Sequence, residues 1–324
     1  MVSLKFGFSL SDRTLDFFLK RIEIPNFTYE VTEMWPEKLF THQVKTFEFD
    51  VNEMSLSSYL IMKNKSDNRL TAIPVFLSRY FRHESIYVKQ DAPYRKLADL
   101  KGKKIGLPEW QVTAAVWFRG FLKDEGIKNE DVQWFTYRAE ERVPIETPAK
   151  KGTMKYGDWM KDICEALING EVDAIFTTRR PPEEYLPRSG VKGKIRRLFD
   201  NPWEEAAKYY NKTGIFPIMH TVTIKTELIN KYPNLPELLY DAFVKAKNNA
   251  YSRMINTSFH PVCYPFIMKG FEETVRLMGE DFWPYGIKNN WKTIEKFMSY
   301  MVEDGLIKRP FKKEEIFHNA LLDT

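Results

Sequence analysis

The run TAIPVFLSRYFRH, Thr71 to His83, is an apolar stretch that ends in Arg79, Arg82 and His83. An apolar strand that stops in a cluster of cations presents charge to an anionic small molecule. Arg79 and His83 are four residues apart, a spacing that puts both on one side of either an extended or a helical backbone. A solvated basic loop is the plain alternative, and polar residues at the ends of other expected strands weigh against it. Glu53, set in DVNEMSLSSYL, is an odd choice for a purely structural position. Ser55, Ser57 or Ser58 can cap the helix that follows, and the free N–H groups there can hold a carboxylate. Glu109 begins a similar junction in GLPEWQVTAAVWFRG, where Gln111 or Thr113 opens a helix able to receive a second anion.

Trp110 either stacks on a flat ligand or packs in a cleft wall or core, and Arg119 reads as a surface or lobe-packing residue. Arg179 and Arg180 follow the strand-like VDAIFTT; neighbours in an extended segment point to opposite sides, so at most one touches ligand, and Arg180 is the candidate. His220 ends the apolar run GIFPIM, where a single histidine is ordinarily a hydrogen-bonded structural residue. His42, His260 and His318 have no cluster around them and receive no role. HExxH, paired-histidine spacing, GxGxxG, GxxxxGK[ST] and GxSxG are all absent, so zinc hydrolysis, dinucleotide redox chemistry, P-loop phosphoryl transfer and α/β-hydrolase chemistry lack support. Arginine, histidine and glutamate remain, a set suited to binding a carboxylated molecule and moving a proton.

The elements that must position these residues come from a chain of 324 residues, 43% hydrophobic and 15% aromatic, enough for two lobes with real cores. Lys and Arg number 49 against 44 Asp and Glu, a net charge of +5 spread along the chain. Nucleic-acid binding calls for a concentrated basic patch or a recognition motif, and neither is present. The expected partner is a small anionic aromatic molecule, with self-association open. MVSLKFGFSLSD reads as a strand rather than a leader, and no apolar run is long enough to span a membrane, so a soluble cytoplasmic protein is expected. Cys164 and Cys263 do not form a CxxC pair and read as core residues.

The first ninety or so residues alternate strand and helix signals, the β-α-β rhythm of a mostly parallel sheet flanked by helices. A second such α/β unit starts after Val88, and the chain from about Pro233 is helical in period. The chain is therefore expected to build lobe I from 1–88 plus 222–324 and lobe II from 89–221. SIYVK and FPIMHTV make the crossings, and the ligand cleft lies between the lobes.

With these segments in view the chain resembles the 4,5-dihydroxyphthalate decarboxylase family. The matching runs are DVNEMSLSSYL, TAIPVFLSRYFRH, LKGKKIGLPEWQVTAAVWFRG, GEVDAI, TGIFPIMH and MGEDFWPYG. TYRAEERVP departs from the family pattern, where a glycine-rich turn is expected after VQWF. The resemblance implies a two-lobed α/β fold of the type II periplasmic-binding-protein kind, and non-oxidative loss of CO₂ from a hydroxylated aromatic dicarboxylate to give protocatechuate, without an organic cofactor; no metal-ligating residue is assigned. Loss of CO₂ from an aromatic carbon requires that carbon to be protonated, with a para hydroxyl supplying electron density; the reaction needs an acid beside the carbon and a base beside the phenol. His83 or Glu109 is the expected proton donor, and Glu53 or His220 acts on the phenol. Arg79, Arg82 and Arg180 hold carboxylate, aided by Ser55, Trp110, Gln111 and Thr113, since a guanidinium fork matches a planar carboxylate.

An arginine gripping the departing carboxylate would stabilise the ground state. The arginines are therefore expected to hold the carboxylate that stays, with the leaving one against an apolar patch such as Phe81, Trp110 or Phe216. The competing expectation is a solute-binding protein for an aromatic or sulfonated anion without catalysis, which one scaffold could equally host.

Overall fold

A computed structural model describes residues 1–188, 191–256, 258–259 and 262–324; His260 lies outside them. The strands, in chain order, are β1 (Val2–Phe8), β2 (Phe27–Glu33), β3 (Val51–Ser55), β4 (Leu70–Arg79), β5 (Ile86–Lys89), β6 (Lys104–Leu107), β7 (Gln133–Thr136), β8 (Lys150–Lys151), β9 (Ala174–Phe176), β10 (Ile195–Arg197) and β11 (Ile218–Lys225). They form one sheet of order β2-β1-β3-β11-β4 and another of order β10-β5-β9-β6-β7-β8. Each sheet belongs to its own compact unit: Met1–Arg79, Ile218–Ile294 and Phe311–Thr324 in the first, Tyr80–Pro217 and Glu295–Pro310 in the second.

In the first sheet β1 runs parallel to β2 and β3, whereas β11 runs antiparallel to both β3 and β4. In the second, β6 is parallel to β7 and β9, and β7 to β8, whereas β5 is antiparallel to β9 and β10. Each sheet thus carries one reversed strand. It is the first strand built after the chain passes from one unit to the other, β5 on the way out and β11 on the return. All five residues of β3 are buried, although Asn52, Glu53 and Ser55 are polar, so the strand is covered on both faces.

The unit boundaries differ from the sequence expectation for a pairing reason. Ile86–Lys89 is hydrogen-bonded into the second sheet, so the chain leaves the first unit at 79/80 rather than 88/89. Residues 218–225 form one strand, so the return falls at 217/218 rather than 221/222. Residues 295–310 of the helical tail join the second unit. Cys164 is buried as expected, whereas Cys263 is exposed and not a core residue.

Three helices bear on the sites below. α1 is a single turn (Leu15–Phe18) after Ser11, shorter than the pattern suggested. α2 (Pro36–Thr46) begins with proline at its first turn, where the missing N–H costs nothing. α3 (Leu56–Asn64) is capped by Ser55, whose side chain accepts from the Ser58 N–H at 3.4 Å.

In the second unit α4 (Thr113–Asp124) is buried along most of its length. A Cβ at Gly120 would stand 2.3 Å from the Tyr300 ring, so only glycine admits that contact. α5 (Trp159–Ile168) packs under the sheet and α6 (Pro202–Thr213) follows Asn201, which caps it through Glu204 N–H. No helix among the described residues is long and apolar enough to cross a membrane.

Candidate active site

In the first unit the sheet topology gathers polar groups from β1, β3, β4 and β11 at the carboxyl ends of its parallel strands. His220 on β11 faces Ser55 of β3 on one side and Ser78 of β4 on the other. The β4–β11 register slips on both sides of His220, a bulge of the kind that re-aims a side chain. Its Nδ1 lies 2.6 Å from Glu53 Oε1. Ser9, just past β1, donates to the other carboxylate oxygen twice, by its hydroxyl and by its N–H at 3.1 Å. The Phe40 ring meets the imidazole edge-on at 4.7 Å and fixes its plane.

Glu53 is 2% exposed. Burial alone would push its carboxyl up, but the hydrogen bond and charge of His220, with both Ser9 donors, bring it below the ordinary glutamate value. With Nδ1 engaged by the carboxylate, Nε2 is the ring nitrogen left for a ligand, the tautomer logic of any carboxylate–histidine pair. The pair opens on a cavity of about 280 Å³, lined also by Ser9, Ser11, Ser78, Glu33, Trp35 and Arg13. That is near the lower bound of about 300 Å³ usual for small-molecule sites.

Arg13 supplies the cavity's guanidinium. It donates to the Leu77 carbonyl at 3.0 Å, pairs with Asp12, and lies over the Trp283 ring at 4.3 Å. Trp283 is itself pinned by donating to the Phe76 carbonyl at 2.7 Å. Arg79, two residues further along β4, instead turns inward. It is 4% exposed and donates to Asn290 Oδ1, while the Asn290 amide donates to the Pro284 and Gly286 carbonyls at 3.0 and 2.7 Å. Arg79 therefore ties down the MGEDFWPYG turn, and Arg13 is the guanidinium that lines the cavity.

In the second unit the remaining candidates fall into separate groups. Glu109, 2% exposed, accepts from Arg142 at 2.6 Å and stands 3.3 Å from Arg138. Beside it the anion position at the start of α4 is filled by the chain's own Glu140. Its carboxylate accepts the Trp110 and Gln111 N–H groups and the Gln111 amide at 2.9 Å. Burial raises the Glu140 carboxyl against these donors. Val112 is the cap and Thr113, buried, the first residue of α4.

Trp110 is not a stacking platform: it is fully buried, with the Arg119 guanidinium over its ring at 3.7 Å and its own N–H on the Asp304 carbonyl. Arg82 donates to the Thr178 carbonyl at 3.3 Å and Arg180 pairs loosely with Glu183 at 3.7 Å. Phe81 stacks on Phe216 at 4.6 Å. His83 is buried against Phe121, and burial pushes its imidazole down to about 4, so it is a neutral ring in ordinary buffers.

The structure thus brings together Glu53, His220 and Ser55, and separately Glu109 with Gln111, whereas Arg79 and His83 have other surroundings despite their spacing. Sequence reasoning missed Ser9, Arg13, Glu140, Arg138 and Arg142. SDR after the first strand carried a weak signal for Arg13, and the departing TYRAEERVP segment a stronger one for the last three.

Comparison with known proteins fits this architecture. The fold is that of the SsuA-type periplasmic binding proteins: the aliphatic sulphonate binding protein SsuA of Escherichia coli superposes with a TM-score of 0.58 at 14% identity over 100% of both chains. The desulfurization enzyme DszB superposes with a TM-score of 0.52 at 15% identity, covering 100% of this chain and 98% of that one. No protein-family profile matches the chain. Among curated proteins, the 4,5-dihydroxyphthalate decarboxylase of Comamonas testosteroni is 36% identical over 295 residues, 89% of this chain and 88% of that one. That of Pseudomonas putida is 38% identical over 183 residues, 54% of this chain and 68% of that one. The chain belongs to the 4,5-dihydroxyphthalate decarboxylase family.

Proposed function

We propose that the protein is a carboxy-lyase that removes one carboxylate of 4,5-dihydroxyphthalate, giving protocatechuate and CO₂, as a step of aromatic breakdown in the cytoplasm. Family membership supports the reaction; the observation that carries the chemistry is the buried Glu53–His220 pair, 2.6 Å apart, with its ring opening on a cavity that also holds Arg13. His220 takes the phenol proton through Nε2 while Glu53 holds Nδ1 and stabilises the imidazolium. Electron density released at the para oxygen reaches the ring carbon that bears the departing carboxylate, and that carbon takes a proton delivered from solvent. When the C–CO₂ bond breaks, its electron pair restores the aromatic ring and His220 returns its proton to the oxygen. One proton is consumed overall. Arg13 grips the carboxylate that stays, since binding energy spent on the leaving group would oppose its loss.

The test is to incubate the purified protein with 4,5-dihydroxyphthalate while following CO₂ and the ring spectrum, with Glu53→Gln alongside. Turnover by the native protein that falls at least about a hundredfold in the variant supports the reading. Tight binding without CO₂ release would make the protein a solute receptor instead, and cell fractionation checks the compartment.

A further inference from the structure

A larger cavity, about 430 Å³, lies within the second unit and shares no lining residue with the Glu53–His220 cavity. Its floor is aromatic. The His83 ring lies nearly parallel to Phe121 with centroids 4.6 Å apart, and Phe199 and Tyr209 stand 6.0 and 5.4 Å from the same imidazole. Lysines form the rim. Lys208 is matched by Glu205 at 2.7 Å and Lys296 by Asp124 at 2.8 Å, whereas Lys96 and Lys212, both exposed and lining the cavity, have no ion-pair partner among the described residues.

His83 is 4% exposed, and its Nδ1 makes no hydrogen bond within the protein. Buried polar atoms are almost always partnered; Nδ1 is shut off from the cavity as well, and the imidazole lines the wall through the rest of its ring. Because burial keeps the imidazole uncharged in ordinary buffers, the ring offers one N–H donor and one acceptor. It does not supply a charge.

We propose that this cavity binds a single-ring aromatic monocarboxylate bearing a hydroxyl group. The ring would lie on the Phe121 and Phe199 floor, the carboxylate at Lys96 and Lys212, and the hydroxyl at the edge of the His83 imidazole that lines the cavity. The volume suits one substituted ring and leaves no room for a dinucleotide. Selectivity for one carboxylate follows from those ion pairs: Glu205 and Asp124 already occupy Lys208 and Lys296, and Glu125 also lines the cavity. A second negative group finds no further unmatched lysine there, so a dicarboxylate such as phthalate is disfavoured. This site is independent of the reaction assigned to His220.

The experiment is a calorimetric titration of the full chain carrying Arg13→Ala and His220→Gln, which removes the carboxylate grip and the imidazole of the other cavity, with 3,4-dihydroxybenzoate, phthalate and inorganic phosphate. Saturable binding of the monocarboxylate is expected. It should be at least tenfold tighter than that of phthalate or phosphate, and at least tenfold weaker when Lys96→Ala and Lys212→Ala are added. His83→Phe, which keeps the ring and removes the nitrogen, should weaken it comparably. Should that variant fail to fold, the lysine pair, exposed and outside the core, decides alone. Equal affinity with and without the two lysines, equal affinity for all three anions, or no heat at millimolar ligand overturns the proposal.

Discussion

The Arg119–Asp304 pair of the second unit and the Glu53–His220 pair of the first differ in what is left unfilled. In the second unit Asp304 and Arg119 are both fully buried, 2.6 Å apart. The carboxylate also accepts from Lys123 at 2.5 Å and Asn129 at 2.9 Å. Burial would push the Asp304 carboxyl up, yet the two cations bring it below the usual aspartate value. No lone pair faces a cavity, and Trp110, Trp117 and Tyr300 seal the surroundings. In the first unit Glu53 is buried equally well, but its partner His220 retains a ring nitrogen and meets a cavity. A buried pair with no cavity beside it holds a structure together, even with Arg119 Nη1 left unpartnered; a pair with one spare donor–acceptor position beside open space can do chemistry.

The sharpest way to break this contrast is to remove one member of each pair. His220→Gln, whose amide can still donate to the buried Glu53, should lower kcat for decarboxylation by about 10² to 10⁴ and leave the thermal midpoint almost unchanged. Asp304→Ala should do the reverse: a loss of about 3 to 5 kcal/mol in denaturant unfolding, because it strands a buried guanidinium, with kcat retained by the folded fraction. If the two variants affected the same quantity, the distinction would fail.

A pH series sharpens it further. The folded protein holds the His83 imidazole down at about 4, whereas the unfolded chain protonates it near 6.5. Between those values the unfolded state binds more protons, so stability is full above about 6.5 and falls as pH drops toward 4, by at most about 3 kcal/mol. His83→Phe should flatten that limb in urea titrations at pH 5 to 7. The smallest effect belongs to Ser9→Ala, about a tenfold fall in kcat. The Glu53 carboxyl, having lost a hydroxyl donor, holds its proton to higher pH, so the acid limb of the kcat profile moves up. Stability loss without that shift would leave Ser9 a purely structural residue.

Local patterning made the scaffold legible. Apolar runs punctuated by Pro36, Ser55 and Gly126 placed most strands and helices, because periodicity and capping act over a few residues. Glu53 stood out because a carboxylate inside a buried strand needs a partner, and His220 because it closes an apolar run. Their pairing was not legible, since it spans 167 residues and depends on a register slip between β4 and β11. The four-residue spacing of Arg79 and His83 misled for the same reason. One sits at the end of β4 and bonds to Asn290, 211 residues away; the other begins a tight turn and packs on Phe121.

The amino-acid sequence by itself determined two α/β sheets, a family and a short set of candidate acids, bases and guanidinium groups, because composition and short-range period decide which segments are buried. Only the tertiary structure decided that Arg13 rather than Arg79 lines the cavity, that Glu140 fills the start of α4, and that Glu53 meets His220. Those choices are made by strand order and side-chain packing between residues far apart in the chain, and no local pattern encodes which distant partner a buried polar group will meet.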